Sequence, residues 1–132
     1  MNNYTDNATA VAAVLSTYFR GIFNGDLELL RSVFHPQALV GGDVNGLPYA
    51  KTTDQYLEVV KNRKSPRELN QPFRMGILAI EIINSMAIAK VHLPMFEFNY
   101  YNLLSLTKVD GTWVIVNKLL TNVSIQSHVV SN

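Results

Sequence analysis

The side chains in this sequence that could bind a ligand or do chemistry are polar groups set within apolar patterns. Tyr18 lies on the apolar stripe of a helical pattern, and Asn117 alternates with Trp113 and Ile115 in a strand pattern. If the tryptophan is in the core, the Asn117 amide turns inward, where it must be hydrogen-bonded. Its partner is then either a backbone or tyrosine group or the polar edge of a heterocycle. Four further tyrosines supply flat surfaces for core packing or for a ligand: Tyr49, Tyr56, Tyr100 and Tyr101.

The three histidines do not form a recognisable metal site. His35 precedes Pro36 at the end of a helical pattern, where a cation favours the negative end of the helix dipole. Action as a general base is the alternative for this residue. His92 shares a strand face with apolar residues and is expected at an intermolecular contact, and His128 lies in a polar tail. Because no two histidines have i, i+4 spacing and no Asp or Glu joins them, we predict no metal site.

Composition argues against several classes of partner. Eleven basic and ten acidic residues give a net charge of +1, which provides no field for nucleic acid or for an anionic membrane. The glycines lack the spacing of a phosphate-binding loop, so we expect no nucleotide cofactor. Residues 1–7 lack the features of a signal peptide, and no segment has about 18 consecutive apolar residues. The sequence therefore predicts a cytoplasmic protein without cofactors or membrane contact.

Three helices are predicted in the first half of the chain. The first spans residues 6–24, where apolar residues recur at helical spacing. The second follows Asp26, whose side chain can cap it. The third begins at Thr53 or Asp54.

The second half of the chain is predicted to form an antiparallel sheet. Its four strands should form a meander: residues 74–83, 86–96, 98–109 and 113–122. An Asn-Ser pair and an Asp-Gly pair provide two of the turns. Pro94 lacks an amide donor and is expected at a bulge or bend. Residues 37–52 are expected to be a loop around a short strand at 38–40, and the length predicts one domain over residues 1–132.

Both faces of the predicted sheet are apolar, although three helices can cover only one of them. Hydrophobic residues make up 48% of the chain and charged residues 16%, which also favours a surface hidden by self-association. We therefore predict a homodimer through the outer sheet face. The residues expected at this interface are Met86, Ile88, Val114 and Val116.

Several segments resemble a known superfamily. They are Tyr18, the FHPQA motif at 34–38, RKSP at 63–66, AIAKV at 87–91 and KVDGTWVIVNK at 108–118. Together with three helices and a terminal meander, these segments are similar to the nuclear transport factor 2-like superfamily, and more narrowly to its putative lumazine-binding branch. The resemblance implies an α+β fold in which three N-terminal helices pack on a strongly curved antiparallel sheet. Such a cone, or cystatin-like roll, is usually dimeric and contains a pocket.

A relative by fold, ketosteroid isomerase, suggests roles for some residues. By this resemblance Tyr18 occupies the position of the electrophilic tyrosine, with ordinary core packing as the alternative. Asp43 lies near the position of the catalytic base, or else is an exposed loop residue beside glycines. Asn102 stands where the branch usually has Asp, and an amide cannot supply a proton that it must give up. The candidate bases are therefore Asp43 and His35.

Three functions remain open from the sequence. The first is a homodimeric domain that binds a small, flat organic ligand through Tyr18, Tyr56, Asn102 and Asn117. The second is an isomerase, cyclase or dehydratase that transfers protons in the same pocket. The third is a pure association module whose cone is filled by side chains.

Overall fold

In a computed structural model, the structure describes residues 4–124. Within that range the chain forms three helices and six strands. The helices are α1 (Tyr4–Asn24), α2 (Leu27–Val33) and α3 (Thr53–Asn62). The strands are β1 (Phe34–Val44), β2 (Leu47–Thr52), β3 (Gly76–Ile83), β4 (Met86–Met95), β5 (Phe98–Val109) and β6 (Thr112–Val123). His128 lies outside the described residues.

Helices α2 and α3 begin where capping side chains are available. The Asp26 carboxylate accepts a hydrogen bond from the backbone N–H of Leu29 at 3.1 Å, which confirms the predicted cap of α2. Thr52 and Gln55 form a reciprocal capping box at the start of α3. Helix α1 buries one apolar stripe, and none of the described helices is apolar over enough of its length to cross a membrane.

The six strands form one curved, unclosed sheet in the order β2-β1-β6-β5-β4-β3. The predicted α+β architecture and the meander from β3 to β6 are confirmed. The antiparallel prediction needs one correction, because β1 pairs in parallel with β6. Strands β1 and β2 form a hairpin that lies between α2 and α3 in the sequence. This hairpin extends the sheet beyond β6, the last strand of the meander.

The loop predicted for residues 37–52 is wrong, because this stretch forms the β1–β2 hairpin. Asn45 and Gly46 have φ values of 53° and 78°, the positive values that a two-residue hairpin turn requires. Gly42 lies within β1 because the neighbouring strand approaches closely. A Cβ at this position would lie 2.0 Å from the carbonyl oxygen of Leu120. The glycines therefore serve strand pairing rather than a loop.

Of the bulge or bend predicted at Pro94, the bulge is not observed. Pro94 pairs in regular register with Asn99 of β5. The pairing of β3 with β4 ends at His92, so the missing amide of Pro94 leaves that ladder intact.

A bulge does occur in β6. Ile115 pairs with Leu106 and Asn117 pairs with Ser105, which leaves Val116 as an extra residue. One extra residue reverses the alternation of side chains along the strand. Odd-numbered positions face the helices before the bulge, and even-numbered positions face them after it.

The core lies between the helices and the inner sheet face. Strand β4 shows the alternation clearly, because Ala87, Ala89 and Val91 are buried whereas Met86 and Ile88 are exposed. The helices thus cover one face of the sheet. The outer face keeps large apolar side chains in contact with solvent.

Candidate functional site

A cavity of about 200 Å³ lies between α3 and the inner face of the sheet. Its polar lining residues are Tyr49, Tyr56, Arg63, Tyr100, Asn102 and Lys118. No Asp or Glu of the described chain is among the residues that line it. Pockets for drug-sized ligands usually start at roughly 300 Å³, so this cavity suits a smaller molecule.

Lys118, like Arg63, lines this cavity and was not among the site residues that the sequence interpretation predicted. The β6 bulge turns its side chain inward, where it is only 3% exposed. Its Nζ donates a hydrogen bond to the Tyr56 hydroxyl at 2.6 Å. The same atom lies 4.2 Å from the ring centroid of Tyr56 and 5.2 Å from that of Tyr18. Burial, with a smaller contribution from the Arg63 charge, holds the pKa of the Lys118 amine well below its usual value.

Tyr56 reaches the cavity from the inward face of α3. Its side chain is buried, and burial raises the pKa of its hydroxyl, although the charge and hydrogen bond of Arg63 oppose that rise. The Tyr56 phenol therefore keeps its proton near neutral pH. Two ring hydroxyls closer to the opening, those of Tyr49 and Tyr100, also have pKa values raised by burial, to about 12 for Tyr49.

Arg63 lies at the C-terminal cap of α3. Its guanidinium carbon is 4.9 Å from the ring centroid of Phe96, so the aromatic ring fixes one face of the charged group. Its Nη2 atom is buried and has no hydrogen-bond partner among the described residues. Arg63 thus brings an unused donor to the cavity.

Asn102 and Tyr18 meet behind the cavity. The Asn102 Nδ2 donates a hydrogen bond to the Tyr18 hydroxyl at 2.8 Å, and both side chains are buried. The Asn102 Oδ1 atom is buried and has no hydrogen-bond partner in the described part of the chain. Burial, followed by the neighbouring Tyr56 hydroxyl, raises the pKa of Tyr18 well above its usual value. Asn102 lines the cavity directly, whereas Tyr18 only supports it.

The inward orientation predicted for Asn117 is wrong. Asn117 follows the bulge at Val116 and therefore lies on the outer sheet face, near Leu39 and Gly41. The regular alternation from Trp113 fails because the bulge inserts one residue. A single sequence carries no clear signal for a bulge at this position.

The structure does not bring the two candidate bases to the cavity. Asp43 accepts a hydrogen bond from the Thr121 hydroxyl and lies at the outer side of the sheet. His35 accepts a hydrogen bond at Nδ1 from the backbone N–H of Gln37 at 3.0 Å. Neither residue lines the inner cavity of Tyr56, Arg63 and Lys118, although Asp43 and Asn102 both border a separate groove on the outer side of the sheet. The arrangement suggested by ketosteroid isomerase is therefore not assembled.

The outer sheet face carries the residues predicted for self-association. Met86 and Ile88 are 55% and 47% exposed, and they line a groove of about 410 Å³ together with Val116. On the same face, the ring of His92 stacks on that of Tyr101 with centroids 4.5 Å apart. Among residues 4–124, no group of three or more His, Asp or Glu side chains could hold a metal ion.

A family model described as "Putative lumazine-binding" matches residues 6–121. Among curated proteins, none matches the sequence. The structure is similar to an NTF-2 like protein of unknown function from Silicibacter pomeroyi, with a TM-score of 0.84 and 17% identity over 92% of this chain and 100% of that one.

Two other NTF2-like proteins of unknown function are each 25% identical to this chain. The protein from Shewanella baltica has a TM-score of 0.82, and the aligned region covers 93% of this chain and 98% of that one. The one from Methylobacillus flagellatus has a TM-score of 0.78 and covers 93% and 97%, respectively.

Proposed function

Because the chain belongs to the family described as putative lumazine-binding, we propose that its inner cavity binds a small, flat organic molecule. One observation carries the proposal. A buried donor, Arg63 Nη2, and a buried acceptor, Asn102 Oδ1, belong to two residues that line the same cavity and have no partner among the described residues.

The unpaired donor and acceptor define the chemistry of the ligand. Each buried polar group without a partner costs about 1–3 kcal/mol. A ligand that offers an N–H group beside a carbonyl oxygen supplies a donor for Asn102 and an acceptor for Arg63. This pattern is the lactam edge of an oxidised heterocycle.

The charge and shape of the cavity limit the class of ligand further. Arg63 and Lys118 line the cavity and no carboxylate of the described residues does, so the ligand is neutral or anionic. Tyr49, Tyr56 and Tyr100 supply flat aromatic walls. The volume of about 200 Å³ limits the ligand to one or two rings.

We further propose that two copies associate through the outer sheet face. The exposed apolar side chains of Met86 and Ile88 support this proposal, because monomeric proteins rarely leave a wide apolar sheet face in water. A paired arrangement leaves the inner cavity of each copy open to its own ligand, since the cavity lies on the opposite side of the sheet.

The ligand proposal is tested by thermal shift and calorimetry with lumazine, whose ring carries lactam N–H and C=O groups. We expect lumazine to bind and its 1,3-dimethyl derivative, which lacks those N–H donors, to bind less well. Asn102→Leu and Arg63→Met should each weaken binding by about 1–3 kcal/mol, roughly 5- to 150-fold in Kd.

A matched control comes from the outer face. Asn117→Leu is the same chemical change as Asn102→Leu but lies on the side of the sheet away from the cavity, so it should leave the lumazine affinity unchanged. Equal effects of the two substitutions would contradict the proposed site. If neither lumazine nor other flat lactams bind the wild-type protein, a pure association module becomes the better description.

A further inference from the structure

The Lys118 amine occupies an unusual position for a lysine. It is buried against the rings of Tyr56 and Tyr18, and no carboxylate of the described residues lines its cavity. A solvent-exposed lysine is charged and hydrated, and its lone pair is then unavailable. Lys118 is held in surroundings that favour the uncharged amine, and that amine borders a cavity large enough for a small molecule.

We propose that Lys118 Nζ is a nucleophile that forms an imine with a small, planar carbonyl compound bearing a carboxylate, such as a 2-oxo acid, inside the cavity. The inference rests on the proposed function, because it assumes that the cavity admits a flat ligand. It adds a ligand class and a covalent step. Lysine amines freed from water in apolar sites form Schiff bases with carbonyl compounds.

Three neighbouring groups match the needs of this step. The Tyr56 hydroxyl is hydrogen-bonded to the amine and is close enough to exchange the protons that the step requires. Arg63 brings a buried, unpaired Nη2 that can pair with the carboxylate of the ligand. Asn102 lies on the inner face of β5, two residues from Leu104, the pairing partner of Lys118. Its unpaired Oδ1 can accept a hydrogen bond from the hydroxyl group that forms in the reaction.

The reaction balances without an oxidant or reductant. The Lys118 nitrogen attacks the carbonyl carbon, and the π electrons move to the oxygen, which takes a proton from the Tyr56 phenol. The phenolate then takes a proton from the new C–N bond's nitrogen, which gives a neutral carbinolamine. The Tyr56 phenol then protonates the hydroxyl group, which leaves as water as the nitrogen lone pair forms the C=N bond, and the phenolate takes the remaining proton from that nitrogen to give the neutral imine of Lys118. The sum is carbonyl compound plus amine to imine plus water.

Tyr56 suits this role because its hydroxyl lies 2.6 Å from the nitrogen and holds its proton. Burial raises the pKa of Tyr56 and lowers that of Lys118, and both shifts favour the neutral phenol and the neutral amine that the step requires. The titratable groups that line the site with them are Arg63, Tyr49 and Tyr100, and Tyr18 contacts Lys118 from α1.

The test uses the whole protein, glyoxylate as the probe and cyanoborohydride to reduce any imine. Intact mass should show one adduct per chain, and peptide mapping should place it at Lys118. We expect Lys118 to react at least about tenfold faster than exposed lysines such as Lys64 and Lys90, since each unit by which the pKa of an amine falls raises its neutral fraction about tenfold. Adducts spread evenly over the exposed lysines would overturn the proposal.

Substitutions separate the parts of the mechanism. Lys118→Arg replaces the amine with a guanidinium group of similar length, which is not a nucleophile, and should abolish the major adduct, whereas Lys90→Arg, on the exposed outer face, should not. Arg63→Met should slow labelling by glyoxylate but not by acetaldehyde, which has no carboxylate. Mapping of the wild-type adduct decides the site even if a Lys118 variant folds poorly.

This experiment and the lumazine experiment can fail separately. A lactam carbonyl does not form an imine, so lumazine binding does not need Lys118 as a nucleophile. If lumazine binds but glyoxylate does not label Lys118, the imine proposal is wrong and the binding function stands. If glyoxylate labels Lys118 selectively and lumazine does not bind, the lactam ligand is wrong and the imine proposal survives.

Discussion

Replacing Lys118 with Met tests whether the native protein holds an uncharged amine in its core. In the unfolded chain the amine has a pKa of about 10.4, so below that pH it is protonated. Burial lowers the pKa of the native amine, and the unfolded state therefore binds one more proton than the native state between the two pKa values. In this window the stability of the wild-type protein rises with pH by about 1.4 kcal/mol per unit, relative to a variant without the amine.

The Lys118→Met variant should consequently be more stable than the wild type at pH 7, and its advantage should shrink by about 2.7 kcal/mol at pH 9 if the native amine is neutral throughout. Loss of the hydrogen bond to Tyr56 changes the stability difference between variant and wild type by the same amount at both pH values. The change of that difference with pH therefore depends on the protonation of the amine alone. A hydrophobic side chain of similar length fills the same space.

Urea unfolding at pH 7, 8 and 9 measures this slope. The range must end below pH 10, because tyrosines with raised native pKa values, such as Tyr49 at about 12, ionise first in the unfolded chain and lower the stability there. Lys64→Met, which removes an exposed lysine, is the control and should run parallel to the wild type. If the Lys118→Met curve also runs parallel, the buried amine is charged in the native state and our account of the cavity is refuted.

Two further predictions concern the sheet. Gly42→Ala should lower the free energy of unfolding by more than about 3 kcal/mol, because its Cβ would clash with a backbone carbonyl at 2.0 Å and its φ of 122° is unfavourable for alanine. Gly46→Ala, where nothing lies within 4 Å of the added atom, should cost about 1 kcal/mol, and thermal unfolding that ranks the two in the other order would contradict the β1–β6 contact. Val116→Glu should break self-association in sedimentation experiments by placing a charge in the outer-face groove, whereas Leu69→Glu, in the exposed connector, should not. A wild-type monomer at micromolar concentration would remove the proposed interface.

The sequence predicted those elements whose signals are local. The helix over 6–24 and the third helix, which starts at Thr53, carry both periodicity and capping residues, and the structure contains both. The meander strands alternate with period two and are separated by turn pairs. For these segments, local propensity and tertiary packing favour the same conformation.

The hairpin at 34–52 escaped prediction because its glycines look like loop residues. Gly41 and Gly42 lie in a strand, and the reason is the close approach of β6, a strand more than 70 residues later in the chain. Only the tertiary structure brings that carbonyl near Gly42. The Asn-Gly pair at 45–46 is the local sequence signal that favours a hairpin turn, and the positive φ values of both residues show that turn in the structure.

The candidate site was predicted in part. Tyr56 and Asn102 line the cavity and Tyr18 contacts Asn102, as helical periodicity suggested for Tyr18 and the family resemblance suggested for Asn102, although their role in binding remains a prediction. The regular alternation predicted Asn117 on the inner face and Lys118 on the outer face of the sheet, and the structure has the reverse. Such an error follows whenever one bulge separates the reference residue, Trp113, from the site.

The same bulge gives the cavity its chemical character. Without the extra residue at Val116, β6 would place the Asn117 amide inside and the Lys118 amine outside, and the cavity would contain amides, tyrosines and Arg63. A cavity of that composition could only bind by hydrogen bonds. With the bulge, an amine is forced into apolar surroundings beside Tyr56, where it loses the hydration that keeps lysine charged. A single-residue irregularity in the strand therefore places the amine on which the proposed imine formation depends, and the stability of Lys118→Met relative to the wild type, followed against pH, tests whether that amine is neutral.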